Sequence, residues 1–170
     1  MLERFYPDYE AESAYEIDYR GLYQAGFRGI IFDIDNTLVP HGAPADQRAV
    51  TLFAELRGMG YTTLLLSNNK EPRVKNFAKQ VGSRYLFKAG KPGKEGYLKA
   101  MEQMGTEVSN TLFVGDQLFT DVWGARRVGL VSYLTRPMHP KEEIQIVLKR
   151  KLEWIVLHFY HKHKKAGYGE

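Results

Sequence analysis

Gly29-Ile30-Ile31-Phe32-Asp33-Ile34-Asp35-Asn36-Thr37-Leu38-Val39 is the stretch that decides the fold. Its apolar run, Gly29 to Phe32, reads as a strand buried on both faces, as in a parallel sheet. The run stops on two carboxylates two positions apart. Residues i and i+2 of an extended chain point the same way, so Asp33 and Asp35 face one side at the strand's carboxyl end. Open α/β sheets hold their ligands at that end. Carboxylates placed together repel unless a cation stands between them or one keeps a proton. The plainer alternative is a turn, because Asp and Asn are ordinary turn formers.

Downstream, helices and strands alternate. Residues 44–58 read as a helix with Ala49, Leu52, Phe53 and Leu56 on one face. Residues 61–66 form a buried strand ending in Ser67-Asn68-Asn69-Lys70. Residues 72–81 form a helix with Val74, Phe77, Ala78 and Val81 inward. A short strand over 85–89 leads into Gly90-Lys91-Pro92-Gly93. Residues 94–104 read as a helix with Tyr97, Leu98, Met101 and Met104 at helical spacing. A strand over 111–114 ends in Gly115-Asp116-Gln117-Leu118-Phe119-Thr120-Asp121. A helix over 122–128 and a fifth strand over 130–134 follow. Upstream, residues 1–28 form a Tyr-rich lead-in with a short helix near 19–25. The alternation predicts an α/β fold, a doubly wound and mainly parallel sheet with right-handed crossovers, in one domain over residues 1–170 with its core at about 29–134.

Composition sets the limits. The chain has 170 residues, 44% hydrophobic and 26% charged, as in an ordinary soluble globular domain. The absence of cysteine excludes disulfides and thiolate metal sites. The start carries no signal-peptide core, and no apolar run approaches the roughly 20 residues of a spanning helix. A cytoplasmic location is expected. The net charge of +4 gathers in the tail, where residues from about 140 to 165 read as one amphipathic helix. Ile144, Val147, Leu148, Leu152, Ile155, Val156 and Phe159 share a broad face. Lys149, Arg150, Lys151, His158, Lys162, Lys164 and Lys165 supply positive charge. Such a helix lies peripherally on an anionic membrane, or it packs on the sheet or on a second subunit. The oligomeric state stays open.

Four polar clusters therefore meet at one edge of the sheet: Asp33/Asp35/Thr37, Ser67/Asn68, Lys91 and Asp116/Asp121. Phosphoryl transfer uses these parts. A carboxylate attacks phosphorus and divides one hard step into two. Mg²⁺ takes one or two carboxylates plus phosphate oxygens and stabilises the transferring group. Lys and Ser hold the remaining oxygens. A second carboxylic acid protonates the leaving oxygen and then takes a proton from water. Asn69, Lys70 and Arg73 are candidates to touch substrate, with the plainer alternative that they are surface loop residues.

Asp33-Ile34-Asp35-Asn36-Thr37, Ser67, Lys91-Pro92 and Gly115-Asp116-Gln117-Leu118-Phe119-Thr120-Asp121 resemble, in order and each after a strand, the four motifs of the haloacid dehalogenase (HAD) superfamily of phosphatases. With the Ile-Asp-Tyr lead-in, the pattern resembles the YqeG-type subfamily, which is similar to mitochondrial phosphatidylglycerophosphate phosphatases. The resemblance implies Asp33 as nucleophile and Mg²⁺ ligand. It implies Asp35 as general acid and base, with its backbone carbonyl on the metal. Thr37 would order the loop, Ser67, the backbone amide of Asn68 and Lys91 would bind phosphate, Asn68 would help orient the nucleophile, and Asp116 would ligate the metal. Asp121 would support the metal through water or by holding Lys91.

Many members of that superfamily carry a cap domain between motifs. Here about 30 residues separate Thr37 from Ser67 and about 24 separate Ser67 from Lys91, room for one helix and one strand each. An open site follows, suited to a phosphate on something large. The resemblance points to phosphatidylglycerophosphate, presented at the inner face of a membrane. The rivals are a phosphatase for soluble small molecules or phosphoproteins, and a non-catalytic RNA-associated or assembly protein. The paired carboxylates argue against the last, and so against a nucleic-acid partner.

Overall fold

The computed structural model describes residues 1–138 and 144–166, the side chains of 144–147 excepted. Among them are six strands: β1 (Tyr9–Ala11), β2 (Gly29–Phe32), β3 (Thr62–Leu66), β4 (Arg84–Leu86), β5 (Thr111–Gly115) and β6 (Val131–Thr135). They form a parallel sheet in the order β1-β6-β5-β2-β3-β4. The helices are α1 (Tyr19–Gln24), α2 (Gln47–Met59), α3 (Glu71–Val81), α4 (Lys94–Met104), α5 (Trp123–Arg127) and α6 (Ile144–Ala166).

β2 lies at the centre because its four residues are apolar enough to be buried on both faces. Phe32 stands opposite Leu65 on one side and Val114 on the other. Ile30, Phe32 and Leu65 pack with Phe53 of α2 and Phe77 of α3. Ile31, Leu64 and Phe113 pack on the opposite face with Tyr97 and Met101 of α4 and Ala125 of α5. The chain leaves β2 toward β3 and β4, then returns to build β5 and β6 on the other side. The order thus reverses between β2 and β5, and their carboxyl ends frame a crevice.

Several boundaries differ from the sequence expectation. α2 begins at Gln47 rather than residue 44, because the Asp46 side chain accepts the Ala49 N–H at 2.8 Å and caps the helix there. β4 covers 84–86, shorter than 85–89. In α4, Tyr97, Met101 and Met104 are buried and Leu98 is exposed. Residues 118–122 wind as a π-helical turn before α5, in place of one helix over 122–128. β1 is an additional strand, three residues long. Tyr9 stacks on Tyr133 of β6 at 5.0 Å, and Asp8 accepts the Ser132 N–H at 2.8 Å.

The expected tail helix is present as α6, and only part of its apolar face is packed. Residues 139–143 and the side chains of Ile144 and Val147 lie outside the described residues. From 148 onward the apolar residues do not share one contact face. Val156 packs with Leu118, Val122 and Leu134, and Tyr160 meets Tyr6 edge-on at 5.0 Å. Leu148, Leu152, Ile155 and Phe159 remain exposed. Among the described residues no helix is long and apolar enough to cross a membrane.

Candidate active site

Each polar cluster sits where a strand ends. The Asp33 N–H donates to the Val114 carbonyl at 2.9 Å, so Asp33 prolongs the β2–β5 ladder by one step. The chain then turns tightly. Asn36 adopts φ 62°, a left-handed conformation that Asn tolerates better than most residues, and its N–H donates to the Val39 carbonyl at 2.7 Å. The turn brings Thr37 back under the strand end. Its Oγ1 donates to Asp116 Oδ1 at 3.1 Å and lies 3.4 Å from Asp33 Oδ2.

Lys91 joins two carboxylates, donating to Asp33 Oδ1 and to Asp121 Oδ1, each at 2.7 Å. Asn68 fixes the Lys91 backbone from both sides: its Nδ2 donates to the Lys91 carbonyl at 3.1 Å, and its Oδ1 accepts the Lys91 N–H at 2.8 Å. Ser67 is buried beside it, with Oγ accepting the Asn69 N–H at 3.1 Å. Asp121 accepts the Gln117 N–H at 3.1 Å. It fits because residue 115 is glycine, where a Cβ would lie 2.6 Å from Asp121 Oδ2.

Asp33, Asp35, Ser67, Asn68, Lys91 and Asp121 line one cavity of about 210 Å³, with His41 and Lys149 exposed on its rim. Thr37 and Asp116 are buried behind it rather than lining it. A larger cavity of about 520 Å³ lies between α6 and β1, bounded by Glu10, Leu134 and Trp154. Asp116 reaches it, but Asp33, Ser67 and Lys91 do not, so the smaller cavity is the candidate active site.

Four residues to which the sequence reading gave no role in the chemistry belong to this site. Asp35 Oδ1 accepts from Arg73 Nη2 at 2.9 Å and from the Gly42 N–H at 2.7 Å, and Oδ2 accepts from Asn69 Nδ2 at 2.6 Å. Arg73, on α3, and Asn69, in the exposed loop before it, are therefore partners of Asp35. The Arg150 guanidinium pairs with Asp116 Oδ2, and its Nη1 donates to the Asp116 carbonyl at 2.6 Å. Arg150 Nη1 also pairs with Glu153 at 3.1 Å, and Glu153 Oε1 accepts the Leu118 N–H at 2.8 Å. α6 thus grips the loop that carries Asp116. One signal was available: Glu153 is the sole acidic residue between 144 and 166, in a strongly basic segment. A lone acid on the inward side of such a helix marks a buried pair.

Oxygens of Asp33, Asp116 and Asp121 lie within 4.8 Å of one another. Burial pushes the Asp33 carboxyl up to about 7; the Lys91 ammonium opposes this and the Asp121 carboxylate adds to it. Burial also raises Asp116, reinforced by Asp33 and Asp121 and opposed by Arg150. For Lys91, burial favours the neutral amine, but Asp121 and Asp33 outweigh it and the net shift is upward. The cluster has more negative charge than its cations offset. It is a hard, all-oxygen donor set, the kind that Mg²⁺ takes, and a further cation fits it. The carboxylate of Asp35 is not among the converging ligands.

A family model described as haloacid dehalogenase-like hydrolase matches residues 41–129. The chain is also 33% identical over 159 residues to "Probable phosphatase YqeG" of Bacillus subtilis strain 168, with 92% of each chain covered. This chain belongs to the haloacid dehalogenase-like hydrolases. Among them it stands with the HAD-type phosphatases. The family match begins after Asp33 and Asp35, so the placement of that pair rests on geometry. A second relative is "Phosphatidylglycerophosphate phosphatase 1, chloroplastic/mitochondrial" of Arabidopsis thaliana, 30% identical over 160 residues. The match covers 83% of this chain but only 44% of that protein. Among solved structures, the 3-deoxy-D-manno-octulosonate 8-phosphate phosphatase of Moraxella catarrhalis shares the fold. Its TM-score is 0.54 at 16% identity, over 71% of this chain and 75% of that one. That protein was solved with magnesium, phosphate and its sugar.

Proposed function

We propose that this HAD-type phosphatase converts phosphatidylglycerophosphate to phosphatidylglycerol, with Asp33 as nucleophile and Mg²⁺ as cofactor. The observation that carries the reading is the convergence of Asp33, Asp35, Ser67, Lys91 and Asp121 on one cavity, from separate strand ends.

Asp33 attacks phosphorus while the ester oxygen departs with a proton from Asp35. An aspartyl phosphate is left on Asp33. Asp35, now a base, takes a proton from water. That water attacks phosphorus and returns Asp33 and inorganic phosphate. Lys91, Ser67 and the Asn68 backbone amide hold the phosphoryl oxygens, the Asn68 side chain positions Lys91, and Thr37 ties the turn after the two aspartates to Asp116. Asp33, Asp116 and Asp121, with the Asp35 carbonyl, would hold Mg²⁺. When bound, the ion shields the anionic nucleophile from the anionic substrate and stabilises the transferring group.

The substrate class follows from what surrounds the cavity. The chain from Thr37 to Ser67 is taken up by α2 and β3, and that from Ser67 to Lys91 by α3 and β4. Neither segment supplies a covering domain. An open site accepts a phosphate on a large body such as a lipid head group. The lipid itself is favoured by the relatives named as phosphatidylglycerophosphate phosphatases, whose lengths this chain spans by 44% and 60%. Such a substrate brings the protein to the inner face of a membrane as a peripheral enzyme.

The test is phosphate release from phosphatidylglycerophosphate in mixed micelles with Mg²⁺, beside a panel of soluble phosphate esters. Lipid turnover abolished by EDTA is the expected result. Turnover of soluble esters alone retains the chemistry and discards the lipid.

A further inference from the structure

α6 has two faces with opposite partners. One holds the Asp116 loop through Arg150 and Glu153 and packs Val156 and Tyr160 inward. The other carries Leu148, Leu152, Ile155 and Phe159, which are 58%, 57%, 45% and 47% exposed. At 100° per residue these four fall within a stripe about 60° wide. Four large apolar side chains in one exposed line need a partner surface.

Charge says which partner. Glu153 is the sole acid of α6, and it is buried against Arg150. Every exposed charged side chain from 148 to 166 is therefore basic or a histidine. Lys151 and Lys162 border the stripe on one side and Lys149 on the other, and Lys165 continues the basic surface toward the end of α6. A second copy would bring the same lysines against these. Anionic lipid head groups would complement them, and the bilayer interface beneath would take the apolar stripe.

Position ties the stripe to the site. Lys149 is on the rim of the Asp33 cavity, adjacent in sequence to Leu148 and three residues from Leu152. The apolar stripe thus begins at the mouth of the reactive cavity. We propose that α6 seats this protein on an anionic bilayer. Leu148, Leu152, Ile155 and Phe159 enter the interface, the flanking lysines meet head-group phosphates, and Lys149 brings the cavity mouth to the lipid. The proposal rests on the lipid-substrate reading above and adds the surface that serves it.

The test is co-sedimentation of the full chain with vesicles of phosphatidylcholine, alone or mixed with phosphatidylglycerol, neither bearing a phosphate monoester. Wild-type protein sediments with the mixed vesicles and not the neutral ones, and high salt releases it. Leu152→Glu with Ile155→Glu lowers the bound fraction by about tenfold or more. The far-UV spectrum and melting temperature of this double variant stay at wild-type values, because both side chains are exposed. Equal binding by wild type and double variant overturns the proposal. So does a wild-type dimer that the variant converts to monomer while vesicles capture neither. Micellar phosphatidylglycerophosphate separates the two readings. A protein that hydrolyses it yet ignores vesicles loses the surface and keeps the substrate. One that binds vesicles yet leaves the lipid intact does the reverse.

Discussion

Asp33 and Asp35 stand two residues apart at the end of the same strand, yet their surroundings differ in kind. Asp33 is buried, bonded to Lys91 and close to Thr37, with Asp121, which shares the Lys91 cation, and Asp116 beside it. Asp35 is nearer the rim and receives three donors: the Gly42 N–H, Asn69 and Arg73. One carboxylate sits in a crowded negative cluster that a metal would relieve. The other has its own cation and stands outside that cluster. Two identical side chains can divide nucleophile from proton carrier only if their environments separate them. Here the contacts differ: Lys91 and the neighbouring carboxylates surround Asp33, while Arg73, Asn69 and the Gly42 N–H hold Asp35 outside that cluster. The left-handed turn at Asn36, after both, folds Thr37 under Asp33.

The largest effect expected from breaking this pair is at Asp33. Asp33→Asn removes the attacking oxygen, and turnover of every ester falls by about 10⁴-fold or more. Activity within tenfold of wild type would show that Asp33 is not the nucleophile. Asp35→Asn comes next, with a loss of roughly 10²–10⁴-fold on alkyl phosphates, which need a proton on the leaving oxygen. The loss shrinks on p-nitrophenyl phosphate, whose leaving group needs none. Equal losses on both esters would count against a proton-transfer role for Asp35.

How much of this contrast could be read beforehand depended on whether the partners were local. The apolar run of β2 and the polar cluster after it are contiguous, so the strand and both aspartates were legible, as were the clusters after β3 and β5. Arg73 and Arg150 were not. Arg73 lies 38 residues from Asp35, and Arg150 lies 34 from Asp116. Periodicity records which side of a helix is apolar, not which distant carboxylate a cation will meet. The tail shows this directly. A broad apolar face was expected, but the Arg150–Glu153 pair, with the Leu118 amide as partner, holds α6 so that Leu148, Leu152, Ile155 and Phe159 of that face stay outside and Val156 alone of its described residues is buried. β1 was missed for another reason. Three residues, Tyr9-Glu10-Ala11, carry no period, and what makes them a strand is β6 beside them.

The two arginines sharpen the comparison with smaller effects. Arg150→Ala frees the outer oxygen of Asp116, a proposed metal ligand, and Mg²⁺ affinity measured by calorimetry falls by about tenfold. Arg73→Ala frees Asp35, which is not in the converging set. Mg²⁺ affinity is kept, while kcat drops by roughly threefold to tenfold, an effect well under that of removing Asp35 itself. If the two variants exchanged these effects, the division between the aspartates would be drawn wrongly.

The smallest effect is on stability and concerns the metal-free protein. Burial holds the folded-state pKa of Asp33 at about 7, above the value near 4 of an unfolded chain. Between those two pH values the folded state binds more protons than the unfolded one. Stability conferred by this group is therefore full below about pH 4 and is lost as pH rises through about 7. In EDTA the melting temperature should fall by a few degrees from pH 5 to pH 8. Asp33→Asn, which cannot ionise, should flatten that slope. Saturating Mg²⁺ should flatten it too, because the ion binds the ionised carboxylates and favours the form that is costly without it. A melting temperature that climbs from pH 5 to pH 8 in EDTA, and climbs equally in Asp33→Asn, would mean that Lys91 already balances Asp33. The cluster would then need no further cation.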